Sequence, residues 1–300
     1  MNAIDEIQVV PNAGWDRRIL VARCGSLVDV FVIVAERYVV LVDTLINPQT
    51  AAELLRIAEP HLAGRQLLVV NTHSHWDHAW GNQLFVGAGA RHPAPIIATR
   101  RCAELLRSPE AQRKLAQKRA DEPLRFGAVE LVAPTLLFED RLVIDGGDLT
   151  LELFATPGHA ADHIAIYIPQ IRTLLPGDAA ELPFPFVESA ATFPALRDSL
   201  ACMAALEPDV ALYCHAPETS GPALLHQNID YFDVLERRCR AALAGGAPAR
   251  PPEDADVEAL VGFSFAEAIP ADHAEQELSG FYRPGHQAAI RAMLEHLERL

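Results

Sequence analysis

The stretch Asn71-Thr72-His73-Ser74-His75-Trp76-Asp77-His78 decides how this chain is read. It packs three imidazoles and one carboxylate into the six positions from 73 to 78. Imidazole and carboxylate are the ligands that a borderline cation such as zinc accepts at neutral pH. In extended backbone, residues two apart point the same way, so His73 and His75 can grip one ion. After a turn, Asp77 and His78 can face a second ion beside it. A solvated histidine-rich loop, or a satisfied core histidine, is the ordinary reading of a single histidine. Three with an aspartate, at this density, argue for a metal.

The cluster follows Leu67 to Asn71, a short continuous apolar run that fits a buried strand. Three further positions share its character. His159 lies in Thr156-Pro157-Gly158-His159, after the run Leu149 to Ala155. Asp178 lies in Pro176-Gly177-Asp178, after Thr173 to Leu175. His215 comes after Val210 to Tyr213, with Cys214 between. Each is a metal-type ligand where a rigid strand hands over to a loop, the usual place for a site.

Further out, Leu27 to Val34 and Tyr38 to Asp43 read as a hairpin across Glu36-Arg37. Pro48 to Glu59 reads as a helix, with Asn47 as its N-cap and Pro48 in first position. Thr99 to Ala120 has helical composition, interrupted near Ser108-Pro109, and is basic for this chain. It is read as a helical insertion of about residues 99–122, either a solvated helix or a flap over the site. Leu142 to Ile144, the turn Asp145-Gly146-Gly147 and Ile164 to Ile168 continue the strand pattern. Pro194 to Leu206 reads as a helix, and the chain after Pro222 is mostly helical, with a loop at Gly245 to Asp254. Many strands are joined by tight turns. That predicts a mixed sheet arrangement covered by helices, not a doubly wound parallel sheet. The expected division is a catalytic domain at 1–221 and a helical C-terminal extension at 222–300. The extension would cover the sheet, shape the cleft or form a homodimer contact.

Composition narrows the function. The 300 residues are 50% hydrophobic and 22% charged, enough for a sizeable core. The net charge of −15 repels phosphate backbones and anionic membranes, so no nucleic-acid or membrane partner is expected. No apolar run reaches the roughly 18 to 20 residues that span a bilayer. The start Met1-Asn2-Ala3-Ile4-Asp5-Glu6 has neither a basic beginning nor an apolar signal core. Five scattered cysteines without Cys-x-x-Cys suit reduced thiols, so a cytoplasmic location is expected. No Gly-x-Gly-x-x-Gly, Gly-x-x-x-x-Gly-Lys or Gly-x-Ser-x-Gly motif is present to bind nucleotide phosphates or supply a serine nucleophile.

Taken in order, Asp43, the His-x-His-x-Asp-His at 73–78, His159, Gly177-Asp178 and His215 resemble the metallo-β-lactamase-fold hydrolase superfamily, over about residues 20–220. The resemblance implies an α+β fold, an αββα sandwich of two mixed β-sheets flanked by helices, with metals at one edge. It implies that His73, His75 and His159 bind a first zinc, that Asp77, His78 and His215 bind a second, and that Asp178 bridges both. Two Zn2+ are the implied cofactors, with iron or manganese as alternative ions. Asp43 would accept an N–H from a ligand histidine and fix its tautomer. Its other reading is an ordinary strand-terminal aspartate.

The chemistry implied is attack of a metal-bridging hydroxide on a carboxylic ester, lactone or thioester of a small molecule, with Asp77 catalytic, orienting the hydroxide and taking its proton. The bridging carboxylate separates this chain from true β-lactamases of the fold. The closer likeness is to the hydroxyacylglutathione-hydrolase and lactonase branches. Lactonases carry a tyrosine three positions after that aspartate, and Glu181 stands there here. A phosphodiesterase or iron-dependent oxygenase on the same scaffold is the first alternative, and a non-catalytic metal-binding protein the second. Trp76, Phe184 and Phe186 are read as walls of the site or as plain packing. His163, His226, Tyr282 and His286 are read as lone residues within reach of it, and Cys214 as a small buried residue.

Overall fold

A computed structural model describes residues 5–270 and 275–300, with the side chains of 275–279 outside that description. Residues 271–274, inside the tail read as helical, and the first four of the chain lie outside the described residues. The chain folds as two compact units. One holds the residues up to Ala155 together with Asp162–Gly177, and the other holds Thr156–Ala161 together with Asp178–Leu300.

The first unit carries a seven-stranded mixed sheet in chain order: β1 (Ile7–Val9), β2 (Ile19–Cys24), β3 (Val28–Val34), β4 (Tyr38–Val42), β5 (Gln66–Val70), β6 (Ile96–Thr99) and β7 (Leu136–Phe138). β1 to β4 pair antiparallel, and β4, β5, β6 and β7 pair parallel. The predicted hairpin is β3–β4. The β-branched run Val28-Asp29-Val30-Phe31-Val32-Ile33-Val34 is buried almost throughout, as a strand covered on both faces must be. Each parallel step needs a crossover. Helix α1 (Pro48–Ala58) makes the first, entered through a capping box between Asn47 and Thr50 with Pro48 at the first turn. The segment carrying the short α2 (Trp76–Ala79) makes the second. The predicted insertion makes the third, as three helices: α3 (Arg100–Leu106), α4 (Pro109–Asp121) and α5 (Pro123–Phe126). The interruption at Ser108-Pro109 is a helix start. Ser108 caps α4 and Pro109 occupies its first turn.

A second sheet in this unit runs antiparallel in the order β8 (Arg141–Asp145), β9 (Thr150–Ala155), β10 (Ile164–Ile168), β11 (Thr173–Leu175). The turns of the two sheets meet. Arg37 N–H donates to the Gly146 carbonyl (2.9 Å), and Glu36 N–H to Asp148 Oδ1 (2.7 Å). A Cβ on Gly146 would lie 2.6 Å from the Ala35 Cβ, so this approach requires glycine.

The insertion is more than a wet helix. Leu115 of α4 is 2% exposed and joins a core cluster with Trp80, Cys102, Leu106, Phe126 and Val129. Arg119 donates to the Val129 carbonyl. The remaining charges of α4 face solvent, except for the half-buried Lys118.

The second unit is mainly helical: α6 (Phe193–Ala204), the short strand β12 (Val210–Ala211), α7 (Ala223–Ala244), α8 (Val257–Val261), α9 (Phe265–Ala268) and α10 (Glu275–Glu298). Its core is aromatic. Phe184 stacks on Tyr231 at 4.2 Å between centroids, and Phe265, Tyr282 and His286 surround it. Phe186 packs on Phe281 and Tyr282. Of the two readings offered for these phenylalanines, Phe184 has that of packing. His286 is held as a neutral ring. Its Nε2 is 3.0 Å from the Phe263 carbonyl, which only accepts, so Nδ1 accepts from the Tyr231 hydroxyl at 2.9 Å. Burial pushes the His286 pKa down, against the pull of the Phe263 carbonyl and Glu258 upward.

This packing can be tested at two positions. Leu115→Ala should cost about 3 kcal/mol in chemical denaturation, the penalty of a buried cavity. A loss under about 1 kcal/mol would mean that the insertion is not anchored there. For His286, the unfolded imidazole binds a proton below about pH 6.5 while the buried ring resists it. Its stabilising contribution is therefore complete above that pH and is lost as pH falls toward the depressed folded value. The denaturation midpoint should fall more steeply from pH 7 to pH 5 in the wild type than in His286→Gln; parallel slopes would contradict the assignment.

Candidate metal centre

In the first unit the metal-type residues stand on the loop leaving β5. Asn71 anchors that loop. Its N–H donates to the Ile97 carbonyl (3.0 Å), and its amide exchanges two hydrogen bonds with Asn82, at 3.1 and 2.8 Å. The Thr72 carbonyl accepts from Ile164 N–H of β10 (2.9 Å), so the loop is gripped from both sheets. Ser74 N–H donates to Asp162 Oδ2 (2.8 Å), and Thr99 Oγ1 to the Asp162 carbonyl (3.1 Å). The chain then turns into α2, which carries Asp77 in its first turn and His78 after it.

His73 and His78 are fully buried and Asp77 is 9% exposed. The His73 ring lies 4.4 Å from that of His75 and 4.3 Å from that of His78, centroid to centroid. The nearer Asp77 oxygen is 3.8 Å from His78 Nε2. The four residues of the motif are thus gathered within one unit.

Behind them stands Asp43, also fully buried, at the end of β4 with a left-handed φ of +69°. Aspartate tolerates that backbone better than most residues. Its Oδ1 accepts Thr72 N–H (2.7 Å), and its Oδ2 accepts both the Thr72 hydroxyl (2.7 Å) and His78 Nδ1–H (2.8 Å). Thr72 Oγ1, having given its proton to Asp43, can only accept from His73 Nδ1 at 3.0 Å. One carboxylate therefore sets two tautomers, and both rings are left with the lone pair on Nε2. Burial pushes the Asp43 carboxyl up, and His78 and Thr72 draw it back down. The reading of Asp43 as a support for a ligand histidine describes this geometry. The reading as a plain strand-terminal residue does not.

In the second unit His159, Asp178 and His215 also come together. Asp178 Oδ2 is 3.6 Å from His159 Nε2 and 3.3 Å from His215 Nε2. Two imidazole nitrogens thus face one carboxylate oxygen. Gly158 sets the His159 backbone. Its φ is +138°, and a Cβ there would lie 2.4 Å from the Leu196 Cα of α6. Ser199 of the same helix donates to the Pro157 carbonyl (2.8 Å). The other ring nitrogen of His159, Nδ1, faces Glu181 Oε1 at 3.6 Å. Glu181 is buried. Its Oε2 accepts from the Tyr282 hydroxyl (3.0 Å), and Asn228 bonds its backbone on both sides, at 3.0 and 2.9 Å.

Sequence reading did not foresee this support for His159. The visible signal was a lone charge, Glu181, inside the apolar run Ala179 to Phe186. Tyr282 reaches Glu181, and His163 lies beside His73. The His163 ring is 5.0 Å from that of His73, and a Cβ on Gly177 would lie 2.5 Å from its Nε2. His226 is exposed, His286 belongs to the aromatic core, and Cys214 is buried. None of the five cysteines forms a disulfide. No helix among the described residues is long and apolar enough to cross a membrane.

Donor chemistry fits a divalent cation. Neutral imidazoles with oriented Nε2 atoms and carboxylates, backed by hydrogen-bonded carboxylates, are how metal sites are built. The family model of the metallo-beta-lactamase superfamily matches residues 25–215, which span Asp43, the 73–78 motif, His159, Asp178, Glu181 and His215. The chain belongs to that superfamily and is a metal-binding hydrolase of its fold. It is 28% identical over 254 residues to a hydroxyacylglutathione hydrolase of Hahella chejuensis, covering 79% of this chain and 82% of that one. It is 26% identical over 172 residues to the human acyl-coenzyme A thioesterase MBLAC2, covering 51% of this chain and 58% of that one. The fold matches a metallo-beta-lactamase family protein of Thermus thermophilus with a TM-score of 0.61 and 21% identity, over 98% of this chain and 93% of that one.

Asp43→Asn should weaken divalent-cation binding about 10- to 100-fold in chelator competition, because a neutral amide no longer fixes the His78 tautomer. The far-UV spectrum should be retained. Unaltered affinity would leave Asp43 a purely structural residue.

Proposed function

We propose that the protein is a two-zinc hydrolase that cleaves a carboxylic ester, lactone or thioester of a small molecule. The observation that carries this reading is the placement of Asp178 Oδ2 against the Nε2 atoms of both His159 and His215. One carboxylate between two imidazoles is the arrangement expected of a bridging ligand. In this reading His73, His75 and His159 hold one cation, Asp77, His78 and His215 the other, and Asp178 both. The order of these residues within the matched family segment supports it. The all-imidazole and carboxylate donor set supports zinc over softer ions. The thioester preference draws on the names of the two relatives, one a hydrolase of hydroxyacylglutathione and the other an acyl-coenzyme A thioesterase.

Bound cations supply Lewis acidity and lower the pKa of a coordinated water toward about 7. The remaining steps fall to the chain. Asp77, at the start of α2 and barely exposed, orients the attacking water and takes its proton on a carboxylate oxygen. Asp43 and Thr72 keep His78 and His73 in the tautomers that present Nε2. Glu181 steadies His159 from behind. The acid excess of the chain supports a small-molecule substrate over nucleic acid. The absence of disulfides is compatible with a cytoplasmic setting.

The test is metal analysis followed by reconstitution of the apoprotein with zinc and assay on an ester, a lactone, a thioester and a bis-nitrophenyl phosphodiester. Two equivalents of zinc and acyl-substrate turnover are expected. Phosphodiester turnover alone, or oxygen consumption with iron, would replace this reading, and inactivity on every substrate would leave a metal-binding protein. Asp77→Ala should lower kcat at least about 100-fold while the thermal midpoint stays within a few degrees. Turnover retained within severalfold would remove the proton-accepting role.

A further inference from the structure

The chain contains two lysines, Lys114 and Lys118, and both lie on α4 of the insertion. Lys118 Nζ sits 3.7 Å from the centroid of the Trp76 ring and 5.0 Å from that of Phe126. Trp76 stands between His75 and Asp77, so the insertion lays a cation on the metal-binding loop itself. Arg125 lies on the same two rings, 5.5 Å from each. The two cations differ in what holds them. Arg125 is engaged by Asp5 at 2.7 Å and by Glu122 at 3.2 Å. Lys118 has neither a carboxylate at ion-pair distance nor an acceptor oxygen at hydrogen-bond distance among the described residues.

A half-buried ammonium carries three donors, and an aromatic face satisfies only part of that demand. Partial burial draws the Lys118 pKa down, Lys114 and Arg125 add like-charge repulsion, and the charges of Glu122 and Asp77 act the other way. Three cations, Lys114, Lys118 and Arg125, thus stand here beside the acids Asp5, Glu122 and Asp77, and Asp5 and Glu122 are taken up by Arg125. Packing alone does not explain the arrangement, because an apolar side chain of the same length would cover Trp76 without desolvating a charge. An incoming anion would meet the unfilled donors of the ammonium.

We propose that Lys118, seated on Trp76, is a specificity-determining residue that captures an oxyanion, a carboxylate or a phosphate, carried by the substrate away from the bond being cleaved. This deepens the hydrolase reading and rests on it for the word substrate. The Trp76 ring is the platform and the ammonium is the recognising group. Arg125, already committed to Asp5 and Glu122, keeps the platform in place.

The experiment compares mono-4-nitrophenyl glutarate with 4-nitrophenyl pentanoate on the zinc-loaded enzyme. The two acyl chains differ in a terminal carboxylate against a methyl group. Lys118→Met should raise KM for the glutarate ester about ten-fold relative to KM for the pentanoate ester, with kcat for the glutarate ester little altered. Lys118→Arg should restore most of the difference. An equal change for both esters would reduce Lys118 to a packing residue, and no change for either would remove it from recognition altogether. Should neither ester turn over, the hydrolytic reading fails by itself, and tryptophan quenching by glutarate and by inorganic phosphate decides the inference separately. Either anion binding about ten-fold more weakly to Lys118→Met than to the wild type supports it and says which oxyanion is preferred. Equal affinities for both anions overturn it.

Discussion

The geometry of the first unit depends on a carboxylate buried without a counter-ion from lysine or arginine. Removing such a group from water is costly unless hydrogen bonds replace its hydration. For Asp43 three donors offset that cost, of which two belong to Thr72 and one to His78. Each of these bonds also joins separate segments. The Thr72 pair ties the end of β4 to the loop after β5, and the His78 bond ties both to α2. The strained left-handed backbone at Asp43 is tolerable because the surrounding bonds determine it from three sides. A buried network of this kind is stable only when complete, and its completion through Thr72 and Asp43 sets the tautomers of His73 and His78.

The second unit solves the same problem with different parts. Glu181 is the buried carboxylate, and Asn228 and Tyr282 are the neutral groups that hold it opposite His159. In both units a histidine backed by a carboxylate is what a metal ligand needs, since the acid orients the ring and raises its basicity. The acid excess of the chain is therefore not all surface charge. Part of it lies inside, where position counts for more than number. The many surface ion pairs, such as Arg37 with Asp145 and Arg100 with Glu139, are exposed and contribute little by comparison.

Features legible in the sequence were local. The histidine cluster sits within six positions, Asn47-Pro48 announces a helix start, β3 and β4 are rich in β-branched residues, and β5 is a short continuous apolar run. The α+β architecture follows from those runs and from the turns between them. The edge strand β1 and the parallel strands β6 and β7 are only three or four residues long, too short for a pattern to stand out from the flanking loops. The pairing of β6 and β7 depends on the crossovers that deliver them, not on their own composition. Long-range contacts were illegible for a related reason. Tyr282 meets Glu181 across 101 residues, and no periodicity links the two. Lys118 over Trp76 is the same kind of fact. The basic insertion was visible, but the side chain that departs from its solvated face was not, because only packing of Leu115 and Phe126 turns α4 to that angle.

That angle bears on how an acidic protein handles acidic ligands. Over distances beyond the roughly 8 Å screening length of physiological salt, the field of a chain at −15 is muted, and recognition is decided by the nearest few groups. Among those groups a guanidinium already bound to two carboxylates is electrostatically satisfied, whereas an ammonium on an aromatic face keeps its donors. The choice of lysine at 118, in a chain whose positive charge is mostly arginine, is consistent with that distinction. Arginine forks suit the planar, two-point ion pairs found over the rest of the surface. A compact charge on a flexible stem suits the proposed capture of a substrate oxyanion at one point.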